Sequence, residues 1–224
     1  MPKLRKVKSS SHASPHRVKV VWLTLLATMT AVGGFLVLLD RGVAPRADGV
    51  SLTPLASAGV SNSIDSIFET AAALDSKRWT SIVIHHSGSG AGGPASIETQ
   101  HRSLGLKGLG HHFIIGNGRG GEMADGGLYL GFRWLEQLPG AHALGTRRDD
   151  LNQHALSICL VGDGNRSPFT KPQMARLNQL VDALRTRLNI PADKIYLASD
   201  VAETRDPGVQ FPEAQFKGRL TAVR

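Results

Sequence analysis

The stretch that most constrains this chain is short: Trp79-Thr80-Ser81-Ile82-Val83-Ile84-His85-His86-Ser87. A run of β-branched apolar residues bounded by polar ones reads as a buried strand. Because it stops in two imidazoles, it sets polar chemistry at the edge of a sheet, where the clefts of α/β proteins form. Neighbouring strand residues point to opposite faces, so only one of His85 and His86 is expected to face any one site. Taken alone, the pair is better explained by one imidazole bonded in the core and one in water.

The 224 residues allow one domain of ordinary size with accessory segments. A formal charge of +8 suggests an anionic partner until its position is considered. Lys3, Arg5, Lys6, Lys8, Arg17 and Lys19 precede the first apolar run with no acid among them, and they account for all but about two of the net positive charges. The remainder is nearly neutral, which argues against nucleic acid as a partner. The single cysteine, Cys159, excludes an internal disulfide and a cysteine-rich structural zinc site. It lies in an apolar run and reads as a small core residue.

Residues 20–39 (VVWLTLLATMTAVGGFLVLL) carry no charge and have the length, roughly 20 residues, that a helix needs to cross a bilayer. With the cations on its N-terminal side, this transmembrane anchor is expected to leave residues 1–19 as a basic cytoplasmic tail and to place the rest outside the cytoplasm, at the periplasm or cell surface. Ala44-Pro45-Arg46-Ala47 is a poor cleavage site, which favours a retained anchor over a signal peptide. Residues 40–60, rich in Pro, Gly, Ala and Ser, suit a linker, and residues 61–224 form the domain.

Within that domain Ser61 to Asp75 has helical apolar spacing, and Pro94 to Ser103 is a helix begun by proline. Gly88 to Gly93 lacks the Lys-Ser/Thr ending of a phosphate loop. His111 to Gly118 reads as a strand entering an Asn117-Gly118 turn, with a return strand near Gly121 to Asp125. A polar loop carries Arg147, Arg148, Asp149 and Asp150, and Ala155 to Val161 is a second buried strand. Thr170 and Gln173 form a capping box for the clearest helix, whose stripe of Met174, Leu177, Leu180, Val181, Leu184 and Leu188 faces the core while Arg176 and Arg187 face water. Lys194 to Leu197 begins a last strand, Asp200 to Gly208 follows as a loop, and Phe211 to Leu220 reads as a closing helix. The fold class is α/β, a central mixed sheet flanked by helices.

Five pieces in order, Ile82 to Ser87, Gly110 to Gly118, Gly140-Ala141-His142, Ser157 to Asp163 and Arg205-Asp206-Pro207-Gly208, resemble the zinc-dependent N-acetylmuramoyl-L-alanine amidases and peptidoglycan recognition proteins. The resemblance spans about Trp79 to Leu220. It implies peptidoglycan as partner and a zinc ion with three protein ligands and an attacking water in an open fourth position. By motif, His85 and Asp206 fall on the first and third ligand positions. The second falls on Ala198, which has no donor atom. His111 stands where many relatives have a tyrosine and becomes the candidate general base, Thr204 stands where relatives carry a lysine, and Cys159 replaces a central-strand glutamate. His86, His111, His112, His142 or Asp200 could supply the missing donor. His86, His142 and Asn117 are candidate substrate contacts. The leading expectation is a membrane-tethered hydrolase that cuts the amide between muramic acid and L-alanine. The alternative is a peptidoglycan-binding module that has lost the metal and the reaction.

Overall fold

The computed structural model describes residues 50–52 and 64–222, so the expected cytoplasmic tail, membrane anchor and most of the linker lie outside the described residues. Among the described residues no helix is long and apolar enough to cross a membrane. Six strands, β1 (Val50–Leu52), β2 (Ser81–His86), β3 (Phe113–Asn117), β4 (Asp125–Leu130), β5 (Ala155–Leu160) and β6 (Ile195–Leu197), form one sheet in the order β1-β4-β3-β5-β2-β6. The neighbours β3, β5, β2 and β6 run parallel, and β4 and β1 add antiparallel pairings at one side. The mixed sheet is the one expected. β5 is buried along its whole length, as a strand covered on both faces must be.

The helices are α1 (Pro94–Ser103), α2 (Phe132–Leu135), α3 (Arg148–His154), α4 (Lys171–Leu188), α5 (Ala198–Val201) and α6 (Glu213–Ala222). Ile82, Ile84, Phe113, Ile115, Ile158 and Leu160 pack on the apolar stripe of α4 and on Phe216 and Leu220 of α6. The opposite face carries Ile114, Cys159 and Val161 against Ile97 of α1. Beside them, Val83 and Ala155 meet Leu151 of α3 and Ala198. His85 alternates with Ile84 and therefore projects on this second face, between α1 and α3.

Several elements differ from the sequence reading. The return strand lies at Asp125–Leu130, not at 121–125, because Gly126 and Gly127 sit in the strand and masked it. The segment before them braces a helix instead, since the Glu122 carboxylate accepts the Ala95 N–H at the start of α1 at 2.8 Å. Of the helix expected from Ser61 to Asp75, Ile64–Phe68 forms a 3-10 turn that buries Ile67, and residues 69–75 are not helical. The charged segment at 148–154 is helical, since Leu151 anchors it while its charges stay in water. The loop expected from Asp200 begins instead inside a single helical turn, Ala198–Val201, closed by Asp200, whose carboxylate accepts the Leu197 N–H at 2.8 Å. The closing helix runs Glu213–Ala222, starting two residues later than expected. Arg176 is buried at 1% exposure, with Nε donating to the Gly126 carbonyl at 3.0 Å, so α4 turns a guanidinium inward to satisfy the bent β4 backbone. The capping box forms as read, with Gln173 N–H on Thr170 Oγ1 and Thr170 N–H on Gln173 Oε1, both at 3.1 Å.

The loop that carries Asp206 is placed by a close backbone crossing. Gly208 has φ +103°, and a β-carbon there would run into the carbonyl of Gly164. The Asp206–Pro207 bond is cis. Replacing Gly208 by alanine is expected to destabilise the domain by about 1–3 kcal/mol, the range for forced overpacking. A denaturant midpoint measures it, and an unchanged midpoint would mean that the two loops separate without cost.

Candidate functional site

A cleft of about 690 Å³ opens over the second face of the sheet, with His85, His86, His111, His142 and Asp206 on its floor and wall. α1 contributes Ile97, Gln100 and His101, and α3 contributes Arg148 and Asn152. His85 ends β2 and is 5% exposed. Asp206, distant in sequence, meets it with Oδ2 at 2.8 Å from Nδ1. The other carboxylate oxygen, Oδ1, accepts the backbone N–H of His86 at 2.6 Å. Thr204 Oγ1 accepts the Asp206 N–H at 3.2 Å, and the Asp206 carbonyl accepts from Ser199 N–H at 2.8 Å, which fixes the residue at both ends.

A carboxylate only accepts, so a neutral His85 donates to Asp206 from Nδ1 and turns a lone pair outward at Nε2. His142 Nδ1 lies 3.0 Å from that Nε2, which makes an ordered chain Asp206–His85–His142. Gly140 is required beside it, since a β-carbon there would enter the His142 ring. His111 is 6% exposed, its ring centroid is 5.1 Å from that of His85, and its Nδ1 lies 3.2 Å from Ser157 Oγ. Burial, and then the neighbouring His85, push both His111 and His142 well below the ordinary imidazole range. Burial and the charge of Asp206 push the Cys159 thiol well up, which suits the inert core residue read from sequence.

Both His85 and His86 line the cleft, against the expectation that only one could. β2 stops at His86, and the chain turns at once through Gly88 at φ +70°, so the strict alternation of faces ends there. His86 Nδ1 accepts the Gly164 N–H at 3.0 Å. His112 is fully buried and faces away, ring-to-edge with Trp79 and bonded to the Leu138 carbonyl at 3.1 Å. Asn117 is not among the residues lining the cleft; its amide donates to the Gly90 carbonyl at 2.9 Å and its Oδ1 accepts from Arg119 N–H at 3.0 Å, which braces two glycine-rich loops. The sequence reading missed several lining residues, three polar ones among them. His101 takes the Gly110 N–H on Nδ1 at 2.9 Å, and Asn152 Oδ1 accepts from His142 N–H and Ala143 N–H at 2.9 and 3.0 Å. Arg148 is the third, and its four-residue spacing from Asn152 was the available signal, since that spacing places both on one side of a helix.

The model of the family described as N-acetylmuramoyl-L-alanine amidase matches residues 75–209, which holds every residue of this floor. The chain belongs to that family. An endolysin N-acetylmuramoyl-L-alanine amidase, LysCS from Clostridium intestinale URNW, is similar at 30% identity with a TM-score of 0.55, over 68% of this chain and 90% of that one. LysC from the same organism gives the same identity and TM-score, over 68% and 92%. The fold is also that of a human peptidoglycan recognition protein solved with a glycosamyl muramyl pentapeptide, at 18% identity and a TM-score of 0.50, over 61% of this chain and 81% of that one. A search of the curated proteins finds no match.

The family implies zinc, and the donors of this amidase-family domain do not fit it. Zinc bonds of about 2.0–2.1 Å at near-tetrahedral angles hold two donors about 3.3 Å apart around one point. His85 Nδ1 and Asp206 Oδ2 are 2.8 Å apart and hydrogen-bonded. β2 pairs with β6 so that Ile84 lies beside Leu197, and the next residue, Ala198, on which the resemblance puts the second ligand position, carries no donor atom. No neighbour replaces it. His142 reaches the opposite nitrogen of His85, His111 turns to Ser157, His86 is bonded to Gly164, and Asp200 is spent on Leu197 N–H and on Lys217 at 3.1 Å. Among the described residues no group of three or more His, Cys, Asp or Glu converges as a metal site would require.

Proposed function

We propose that this domain grips peptidoglycan muramyl-peptide in the His85 cleft and does so without zinc-assisted hydrolysis. The observation that carries the reading is the floor itself: Asp206 spends both oxygens on His85 and on the His86 backbone, and Ala198, on which the resemblance puts the second ligand position, has no donor atom. A volume of about 690 Å³ is within the range of ligand clefts and accommodates the junction of a sugar and the first residues of a peptide. The neutral imidazoles of His111 and His142, the Nε2 edge of His86 and the amide of Gln100 supply directional hydrogen bonds, while Ile97, Leu104 and Leu144 supply apolar surface. The family's amidases, and the recognition protein solved with a muramyl pentapeptide, support peptidoglycan as the ligand. The uncharged run at 20–39 and the cations before it support a tether that holds the cleft outside the cytoplasm, against the wall.

The family match favours a hydrolase as the second reading. Full-length protein in detergent, incubated with muramyl-peptide at several zinc concentrations, separates the two. Saturable binding with no peptide released at any zinc level supports the first. Release that rises with zinc and disappears in His85→Ala overturns it.

A further inference from the structure

Two chain segments run side by side behind the cleft and carry its histidine wall. Leu109-Gly110-His111 leads into β3, and Pro139-Gly140-Ala141-His142 leads towards α3. The Gly110 carbonyl accepts the Ala141 N–H at 2.9 Å, and the approach is so close that a β-carbon on Gly110 would run into the Ala141 carbonyl. His111 and His142 each follow that contact by one residue, and in the cleft their ring centroids lie 6.3 Å apart with planes inclined by 30°. The spacing of the two imidazoles is therefore set by how the two backbones register.

One side chain ties both segments. Arg133 Nε donates to the Leu109 carbonyl at 2.6 Å, and its Nη1 donates to the Pro139 carbonyl at 2.5 Å. Arg133 is not among the residues lining the cleft. It stands on α2, where the next residue, Trp134, is fully buried, donates its indole N–H to the Ile67 carbonyl at 2.6 Å and lies 5.0 Å from the Phe113 ring. The guanidinium thus works from a fixed base. Its planar fork spans two carbonyls at once, whereas an ammonium is a single point of charge. A carbonyl that loses its donor away from water costs free energy, and the backbone that carries it shifts to find another. His112 Nε2, bonded to the Leu138 carbonyl at 3.1 Å, still joins the same two segments, so removing Arg133 disturbs their alignment and not their association.

We propose that Arg133 is a positioning residue: from behind the wall it fixes the spacing of His111 and His142, and so governs affinity for muramyl-peptide without touching it. The effect on affinity rests on the binding function proposed above. Full-length protein in detergent is titrated with a muramyl tripeptide by calorimetry, at a temperature where circular dichroism shows each variant folded. Arg133→Gln is expected to bind about tenfold more weakly or worse, and Arg133→Lys, which can reach one carbonyl but not both, to fall between it and the wild type. Leu184→Ala removes a fully buried side chain of α4 on the other face of the sheet, and is expected to lose stability yet bind as the wild type does. The ring proton resonances of His111 and His142 are expected to move in both Arg133 variants and to stay in place in Leu184→Ala. Wild-type affinity in the Arg133 variants, an equal loss in Leu184→Ala, or unmoved ring resonances overturns the assignment. Should Arg133→Gln not fold, Arg133→Lys carries the same comparison. Failure of the wild type to bind the tripeptide overturns the binding function, and the ring resonances still decide whether Arg133 sets the two imidazoles.

Discussion

Replacing Ala198 by histidine is expected to raise zinc affinity at least about 100-fold and to give a domain that holds a single ion. Position 198 follows Leu197, which pairs with Ile84 next to His85 in the β2–β6 ladder, and Asp206 already faces His85 Nδ1. The existing pair needs to open by only about half an ångström to reach the spacing of zinc-bound donors. Against this, Ala198 is 4% exposed and packs with Val83 and Ala143, so the larger ring costs about 1–3 kcal/mol in the metal-free state. Zinc at about a hundred times its dissociation constant returns about 2.7 kcal/mol to the folded state. The thermal midpoint of the variant should therefore fall without metal and recover with zinc, and Ala198→His combined with Asp206→Asn should lose the recovery. A variant that folds but gains no zinc would show that position 198 is not the gap.

The second large effect is loss of stability in acid. His112 is fully buried, and burial holds its imidazole at about 3, with Arg133 and Arg78 adding to the shift and the bond to the Leu138 carbonyl opposing it. Its ring lies against Trp79 and accepts the Ser157 N–H at 3.1 Å, so a proton there has no room for hydration. An unfolded chain protonates this residue near 6.5 while the folded one does not. The stabilising contribution is thus complete above about pH 6.5 and is lost progressively as the pH falls towards about 3. The slope is about 1.4 kcal/mol per pH unit, so roughly 2 kcal/mol is lost by pH 5 from this group alone. His111 and His142 shift the same way and steepen the fall. Unfolding in denaturant at pH 7 and pH 5 measures this, and His112→Gln should flatten the difference. Equal stability at the two pH values would contradict a buried neutral imidazole.

The framework was legible where local chemistry and tertiary environment agree. β2 and β5 are runs of β-branched and aliphatic residues, α1 starts at a proline, and α4 carries its capping box and one continuous stripe. It was not legible where long-range partners override local preference. Gly126 and Gly127 look like a loop but are held in β4 by pairing with β3 and by Arg176 reaching out of α4. α3 looks like a charged loop because one buried side chain, Leu151, fixes it. In the site, His85 with Asp206 came from the family resemblance, since no local pattern joins residues so distant in sequence. The resemblance also located the gap at Ala198. It gave no hint of where the spare imidazoles turn: His142 binds the far edge of His85, and Asn117 braces loops outside the cleft.

The central claim is that the His85–Asp206 pair serves a binding cleft as a hydrogen bond and not as two legs of a metal site. It is tested most directly by titrating muramyl-peptide into full-length protein before and after exhaustive chelation, with zinc per chain counted on the same samples. We expect far less than one zinc per chain and the same affinity in both titrations. One zinc per chain, with binding lost on chelation and restored by added zinc, would contradict the account.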